Sequence, residues 1–147
     1  MRKLTISVTK LHAEAQLPRS AHGPREDAGF DLFSVAEVTL PAGRWASVPT
    51  GLAIEIPPGY EGQVRPRSGL ARKFGVTLLN APGTIDPGYR GEVQVLMINH
   101  GPEDYVVRVG DRIAQLIVGA YADVSWEMRE QLAASTRGGG GFGSTGT

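Results

Sequence analysis

"EVQVLMIN", residues 92–99, decides the fold class of this chain. From Val93 to Ile98 nearly every position is apolar, and the run is rich in the residue types that favour a pleated strand. A second run of the same kind, residues 113–118, lies in "RIAQLIV". Both lack the polar alternation of a strand with one wet face, so both predict a strand covered on two faces, and with it packing between subunits. Working outward, "KLTISVTKL" at residues 3–11 and "ASVPTGLAIEI" at 46–56 are again rich in Val, Ile and Thr. Gly and Pro punctuate the intervals in "LPAG", "IPPG", "NAPG" and "VGD". The pattern predicts an all-β domain, a sandwich or barrel. Only "SGLARKFG", residues 68–75, reads as helical, with Ser68 able to cap, Leu70 and Phe74 on one side, and Gly75 able to end one or two turns.

A length of 147 residues suits one domain with its own core. No apolar stretch approaches the roughly 18 residues of a membrane span, and the start "MRKLTISVTKL" alternates where a secretory signal would have an apolar block. A cytoplasmic setting without a membrane partner is expected. The absence of cysteine excludes disulfides, thiol metal sites and a Cys nucleophile, and His12, His22 and His100 are too scattered for a His-held zinc. Fifteen basic residues balance 15 acidic ones, which argues against a general grip on nucleic acid. Any anion site must be local, and Arg, which supplies 12 of the 15 cations, is the better fork for phosphate oxygens.

Four stretches and the terminus carry candidate chemistry. In "LLNAPGTIDPGYRGEV", residues 78–93, Ala81-Pro82-Gly83-Thr84 predicts a type II turn, and Asp86-Pro87-Gly88-Tyr89 repeats the logic. The second turn would place the Asp86 carboxylate and the Tyr89 phenol on one rim, with the Asn80 amide at the hairpin neck able to read a planar heterocycle edge. In "RPRSGLA", Arg67, Ser68 and the start of the helix could face one anion, or form a capped surface helix with a solvated Arg. In "DAGFDLFS", Asp31 alternates with Phe30 and Leu32, so it can point away from the core, either as an edge residue or to orient a metal-bound water. Gln115 interrupts the apolar strand 113–118, where a buried amide needs a partner. The terminus, "RGGGGFGSTGT" at 137–147, matches a dinucleotide fingerprint only through its glycine run, no helix can follow it, and no Lys completes a phosphate loop. It reads as an arm carrying a charge, a stacking ring and hydroxyls.

Together these parts suit a nucleoside triphosphate site, and their order resembles the trimeric dUTPases, whose five motifs look like "AGFDL", "PRSGLA", "NAPGTIDPGYRGEV", "GDRIAQLIV" and "RGGGGFGSTG" here. The resemblance spans residues 27–146. It implies a homotrimer of jelly-roll-like subunits with shared active sites, a β-domain over residues 1–130 and an arm over 131–147. It implies hydrolysis of dUTP to dUMP and pyrophosphate, which limits uracil incorporation into DNA. By the same resemblance Asp86 would hold the attacking water as general base. Asn80, Thr84 and Ile85 would pair with uracil, and Tyr89 would sit under the deoxyribose and exclude a 2′-hydroxyl. Arg67, Ser68, Gly69 and Gln115 would hold the phosphates, with Asp31 steering the waters of a Mg²⁺ carried by the triphosphate. Phe142 would stack on uracil in a neighbouring subunit's site, while Arg137, Ser144 and Thr145 grip the γ-phosphate.

Two other readings stay open at this stage. The dCTP deaminases share the fold, but they resemble this chain less, since they carry a catalytic Glu at the position of Leu96. A noncatalytic nucleotide-binding module would have no need of Asp86.

Overall fold

A computed structural model describes residues 3–141 of the chain. Ten strands and one helix follow in the order β1 (Ser7–Lys10), β2 (Phe30–Phe33), β3 (Val38–Leu40), β4 (Trp45–Glu55), β5 (Tyr60–Arg65), α1 (Ser68–Phe74), β6 (Val76–Leu78), β7 (Gly83–Ile85), β8 (Glu92–Asn99), β9 (Tyr105–Val107) and β10 (Arg112–Ala120). They form two four-stranded antiparallel sheets, β1-β4-β8-β6 and β2-β10-β5-β7, and a two-stranded ribbon of β3 and β9. The arrangement is an all-β sandwich of the jelly-roll kind with one short helix, and the strands do not close into a barrel.

The core lies between the sheets because each contributes its inward alternate positions. Val48 and Ile54 of β4 and Val93, Val95 and Met97 of β8 meet Leu32, Val64, Ile85, Ile113 and Leu116 of the other sheet, with Leu40 and Val107 of the ribbon closing one end. Asn99 is fully buried at the end of β8, where its amide donates to the carbonyls of Leu40 (2.9 Å) and Glu103 (2.7 Å) and accepts from the Gly101 N–H. That one side chain satisfies three backbone groups at the strand end, where an unpaired buried group would cost about 1–3 kcal/mol.

Two-sided burial of residues 93–98 and 113–118 is only half realised within one chain. In β8 the outward Gln94 is exposed and Leu96 and Ile98 stay half-buried, while in β10 Ile117 and Val118 do. After Ala120 no strand follows through Gly141, and Val124, Trp126, Met128 and Leu132 are exposed, Trp126 at 93% and Met128 at 98%.

The helix and the first turn depart from expectation. Ser68 does not cap α1: Arg67 holds the N-cap position in an extended conformation, and Ser68 is already helical. An Arg side chain can only donate, so no side-chain cap forms there. The C-terminus matches, with Gly75 left-handed at φ 67° and its N–H bonded to the Ala71 carbonyl. At Ala81-Pro82-Gly83-Thr84 the type II turn is absent, because Gly83 has no positive φ. Gly83 instead enters β7 opposite Val64, and a Cβ there would lie 3.3 Å from the Asn80 amide nitrogen. Glycine serves this position by permitting a close approach.

Candidate active site

The hairpin of residues 78–93 builds a cleft of about 450 Å³ against β8. Asn80, Thr84, Ile85 and Tyr89 line it together with Gly83, Glu92 and Leu96. Antiparallel pairing fixes one wall, with Thr84 opposite Gln63 and Ile85 opposite Gly62. Thr84 and Asn80 are exposed and Ile85 is buried, so the hairpin offers polar groups and backbone at its rim over an apolar floor.

Asp86 follows β7 directly. The turn expected at Asp86-Pro87-Gly88-Tyr89 forms, closed by the Tyr89 N–H on the Asp86 carbonyl at 3.0 Å. Gly88 has no positive φ, so the turn is not type II; Pro87 at its second position is equally at home in type I. Arg90 braces the turn from outside, donating to the carbonyls of Pro87 (2.7 Å) and Tyr89 (2.9 Å) while its other nitrogen meets Glu55 at 3.1 Å. The Tyr89 hydroxyl donates to the Glu92 carbonyl at 2.8 Å, and the Glu92 carboxylate accepts the Gly51 N–H at 2.8 Å. Gly51 lies where the β4–β8 register shifts, at φ 67°. The aromatic ring is thereby tied to a bulge on the neighbouring strand. The Asp86 carboxylate itself is exposed and has no side-chain partner among the described residues.

The second group of expected residues gathers on the other sheet. Asp31, Gln115 and Arg65 stand opposite one another across β2, β10 and β5. Asp31, with its side chain 15% exposed, accepts from Arg67 Nε at 3.2 Å on one oxygen and lies 3.5 Å from Arg112 Nη1 on the other. Arg67 also donates to the Arg112 carbonyl at 3.4 Å. Arg19 sits beside them over the Phe33 ring, 4.9 Å from its centroid. Arg19, Asp31, Phe33 and Arg112 line a cleft of about 470 Å³. Gln115 is half-buried beside Gly29, where any Cβ would fall 2.9 Å from its amide oxygen. Ser68 and Gly69 are exposed at the start of α1.

Within one chain these two clefts share no lining residue, so the structure joins Asn80, Thr84, Ile85 and Tyr89 in one and Asp31 with the arginines in the other. Arg137 lies apart from both, its Nε on the Gly140 carbonyl at 2.7 Å. Phe142, Ser144 and Thr145 lie outside the described residues. Arg19, Arg112, Arg90 and Glu92 were missed in reading the sequence. For Arg112 and Arg90 a signal existed, since each is a cation inside a stretch already singled out, "GDRIAQLIV" and "GYRGEV".

A family model for dUTPases matches residues 14–146, nearly the whole chain. This chain belongs to the dUTPase family. Curated relatives bear the name deoxyuridine 5′-triphosphate nucleotidohydrolase. That of Solibacter usitatus is 58% identical over 144 residues, covering 98% of this chain and 97% of its own. That of Gloeothece citriformis is 48% identical with 97% of each chain covered. Among solved structures, the dUTPase of Staphylococcus bacteriophage 80alpha with dUPNHPP superposes at a TM-score of 0.89, with 27% identity and 99% of this dUTPase covered against 100% of the phage chain. A dUTPase variant from phage phi11 of S. aureus, described with a structural Mg(II) ion, superposes at 0.81 with 25% identity, covering 89% of this chain and 100% of its own.

Proposed function

We propose that this dUTPase hydrolyses dUTP to dUMP and pyrophosphate by water attack at the α-phosphorus, with Asp86 as general base. The observation that carries the reading is the hairpin cleft lined by Asn80, Thr84, Ile85 and Tyr89, with the exposed Asp86 next in the chain to Ile85 and its carboxylate without a cation partner among the described residues. Asp86 takes a proton from the water as its oxygen bonds to the α-phosphorus, and the bond from that phosphorus to the α,β-bridging oxygen breaks, the oxygen leaving on pyrophosphate. Positioning of the water against the phosphorus supplies much of the acceleration. Asn80 and the backbone at Thr84 and Ile85 read the uracil edge, and Tyr89 lies under the sugar.

Arg67, Ser68, Gly69 and Gln115 hold the phosphates in this reading. Among the described residues no group of three or more His, Cys, Asp or Glu could ligate a metal directly. In this reading the Mg²⁺ is carried by the triphosphate. Each oxygen of Asp31 meets one arginine and keeps a lone pair for an ordered water. Bound there, the ion would offset phosphate charge.

The separation of the two clefts within one chain supports a homotrimer in which each site is shared, as do the half-open Leu96 and Ile98. Residues 131–147 then act as the arm, bringing Arg137, Phe142, Ser144 and Thr145 over a neighbour's site, and the glycines permit closing and release. No helix among the described residues is long and apolar enough to cross a membrane, and a cytoplasmic setting fits this reading. Leu96 bears on the deaminase alternative: it lines the hairpin cleft with an aliphatic group that cannot shuttle protons.

Pyrophosphate release from dUTP, dCTP, dTTP and UTP with Mg²⁺ tests the proposal. Release from dUTP alone is expected, lost on deleting residues 137–147 while the trimer persists. Binding of dUTP without release would favour a noncatalytic module, and ammonia from dCTP a deaminase.

A further inference from the structure

Gly91 is exposed, and its φ lies outside the left-handed region, so neither burial nor backbone conformation calls for glycine. Its neighbour does. A Cβ built on Gly91 would meet the Tyr89 hydroxyl oxygen at 2.6 Å, Cζ at 2.7 Å and Cε2 at 3.0 Å, and these are its three nearest contacts. All three distances are below ordinary van der Waals contact. The phenol therefore folds back across the Gly91 backbone, which lets its hydroxyl reach the Glu92 carbonyl at 2.8 Å. Tyr89 remains 43% exposed and lines the cleft, so solvent on its open side does nothing to hold the ring.

We propose that Gly91 is a positioning residue for sugar selectivity: the missing side chain at 91 seats the Tyr89 ring where it excludes a 2′-hydroxyl. The inference rests on the dUTP reading above and adds to it the element that sets the height of the ring. Any side chain at 91 swings the ring off the Glu92 carbonyl, and the steric exclusion goes with it. Apart from its two chain neighbours, the three atoms nearest that Cβ all belong to the Tyr89 side chain, so the effect is expected to pass through it.

The experiment measures kcat/KM for dUTP and UTP in the intact protein, Gly91→Ala, Tyr89→Ala and the double variant, with melting temperatures alongside. The preference for dUTP over UTP should fall at least about tenfold in Gly91→Ala, the scale on which a pocket discriminates one small group. Adding Gly91→Ala to Tyr89→Ala should change that preference no further, because the ring through which it acts is gone. An unchanged preference in Gly91→Ala, or a second fall of similar size in the Tyr89→Ala background, would overturn the proposal. If Gly91→Ala does not fold, the double variant should fold, since the clash is removed; a double variant that also fails would sink the idea. Should the unaltered protein cleave neither nucleotide, the dUTP reading itself fails, which this control shows separately.

Discussion

Asp31 lies in β2 and Asp86 directly follows β7 of the same sheet, yet the fold treats their carboxylates in opposite ways. Asp31 is largely enclosed, with Arg67 on one oxygen and Arg112 on the other. Asp86 stands exposed at the end of β7 with no side-chain partner among the described residues, although its turn is braced on the outside by Arg90 and Glu55. A carboxylate with an arginine on each oxygen is held in place and fixes both guanidinium groups in turn. An unpaired acid on a fixed backbone has free lone pairs to orient a water. Position in the fold, and not residue type, separates the two carboxylates.

The sharpest way to break that contrast is to neutralise each acid without changing its shape. Asp86→Asn is expected to lower kcat by about 10² to 10⁴ with nucleotide affinity and melting temperature retained, read by pyrophosphate release and calorimetric binding. Asp31→Asn should act differently. Arg67 and Arg112 lose their shared counter-charge, so KM rises and stability falls by about 1–2 kcal/mol, visible as a melting temperature lower by a few degrees. If Asp31→Asn instead reproduced the pure kcat loss of Asp86→Asn, the two acids would be chemically alike and the contrast would collapse.

The smallest expected effect tests the brace. Arg90 and Glu55 are about half exposed, and such ion pairs are worth about 0.2–1 kcal/mol. Arg90→Ala should therefore cost only about threefold in kcat, with KM nearly unchanged. A loss comparable to that of Asp86→Asn would mean that Arg90 touches the reacting atoms and does more than hold the turn.

Much of this was readable from local patterns. Strands β4, β8 and β10 follow from their Val and Ile content and the Gly and Pro residues between them, the C-terminus of α1 from Gly75, and the turn after Asp86 from Pro87. The errors were local as well. Local pattern matches Gly83 to a positive-φ turn position and Ser68 to a cap, yet the fold uses neither so, because sequence reveals that a glycine or a serine is present and not which of its properties the fold uses. Glycine serves three distinct ends here: a left-handed helix end at Gly75, a close pass of the Asn80 amide at Gly83, and room for a ring at Gly91.

By itself the sequence determined the residue types, their order and the short-range turns, since those depend on neighbours a few positions away. It placed Asp86, Tyr89 and Asn80 on one hairpin because they lie within ten residues of one another. Only the tertiary structure decided that Asp31 meets Arg67 and Arg112, 36 and 81 positions distant, and that Glu92 reaches across to Gly51. Those pairings depend on strand register, and a register shift of one residue would turn every side chain of a strand to the opposite face.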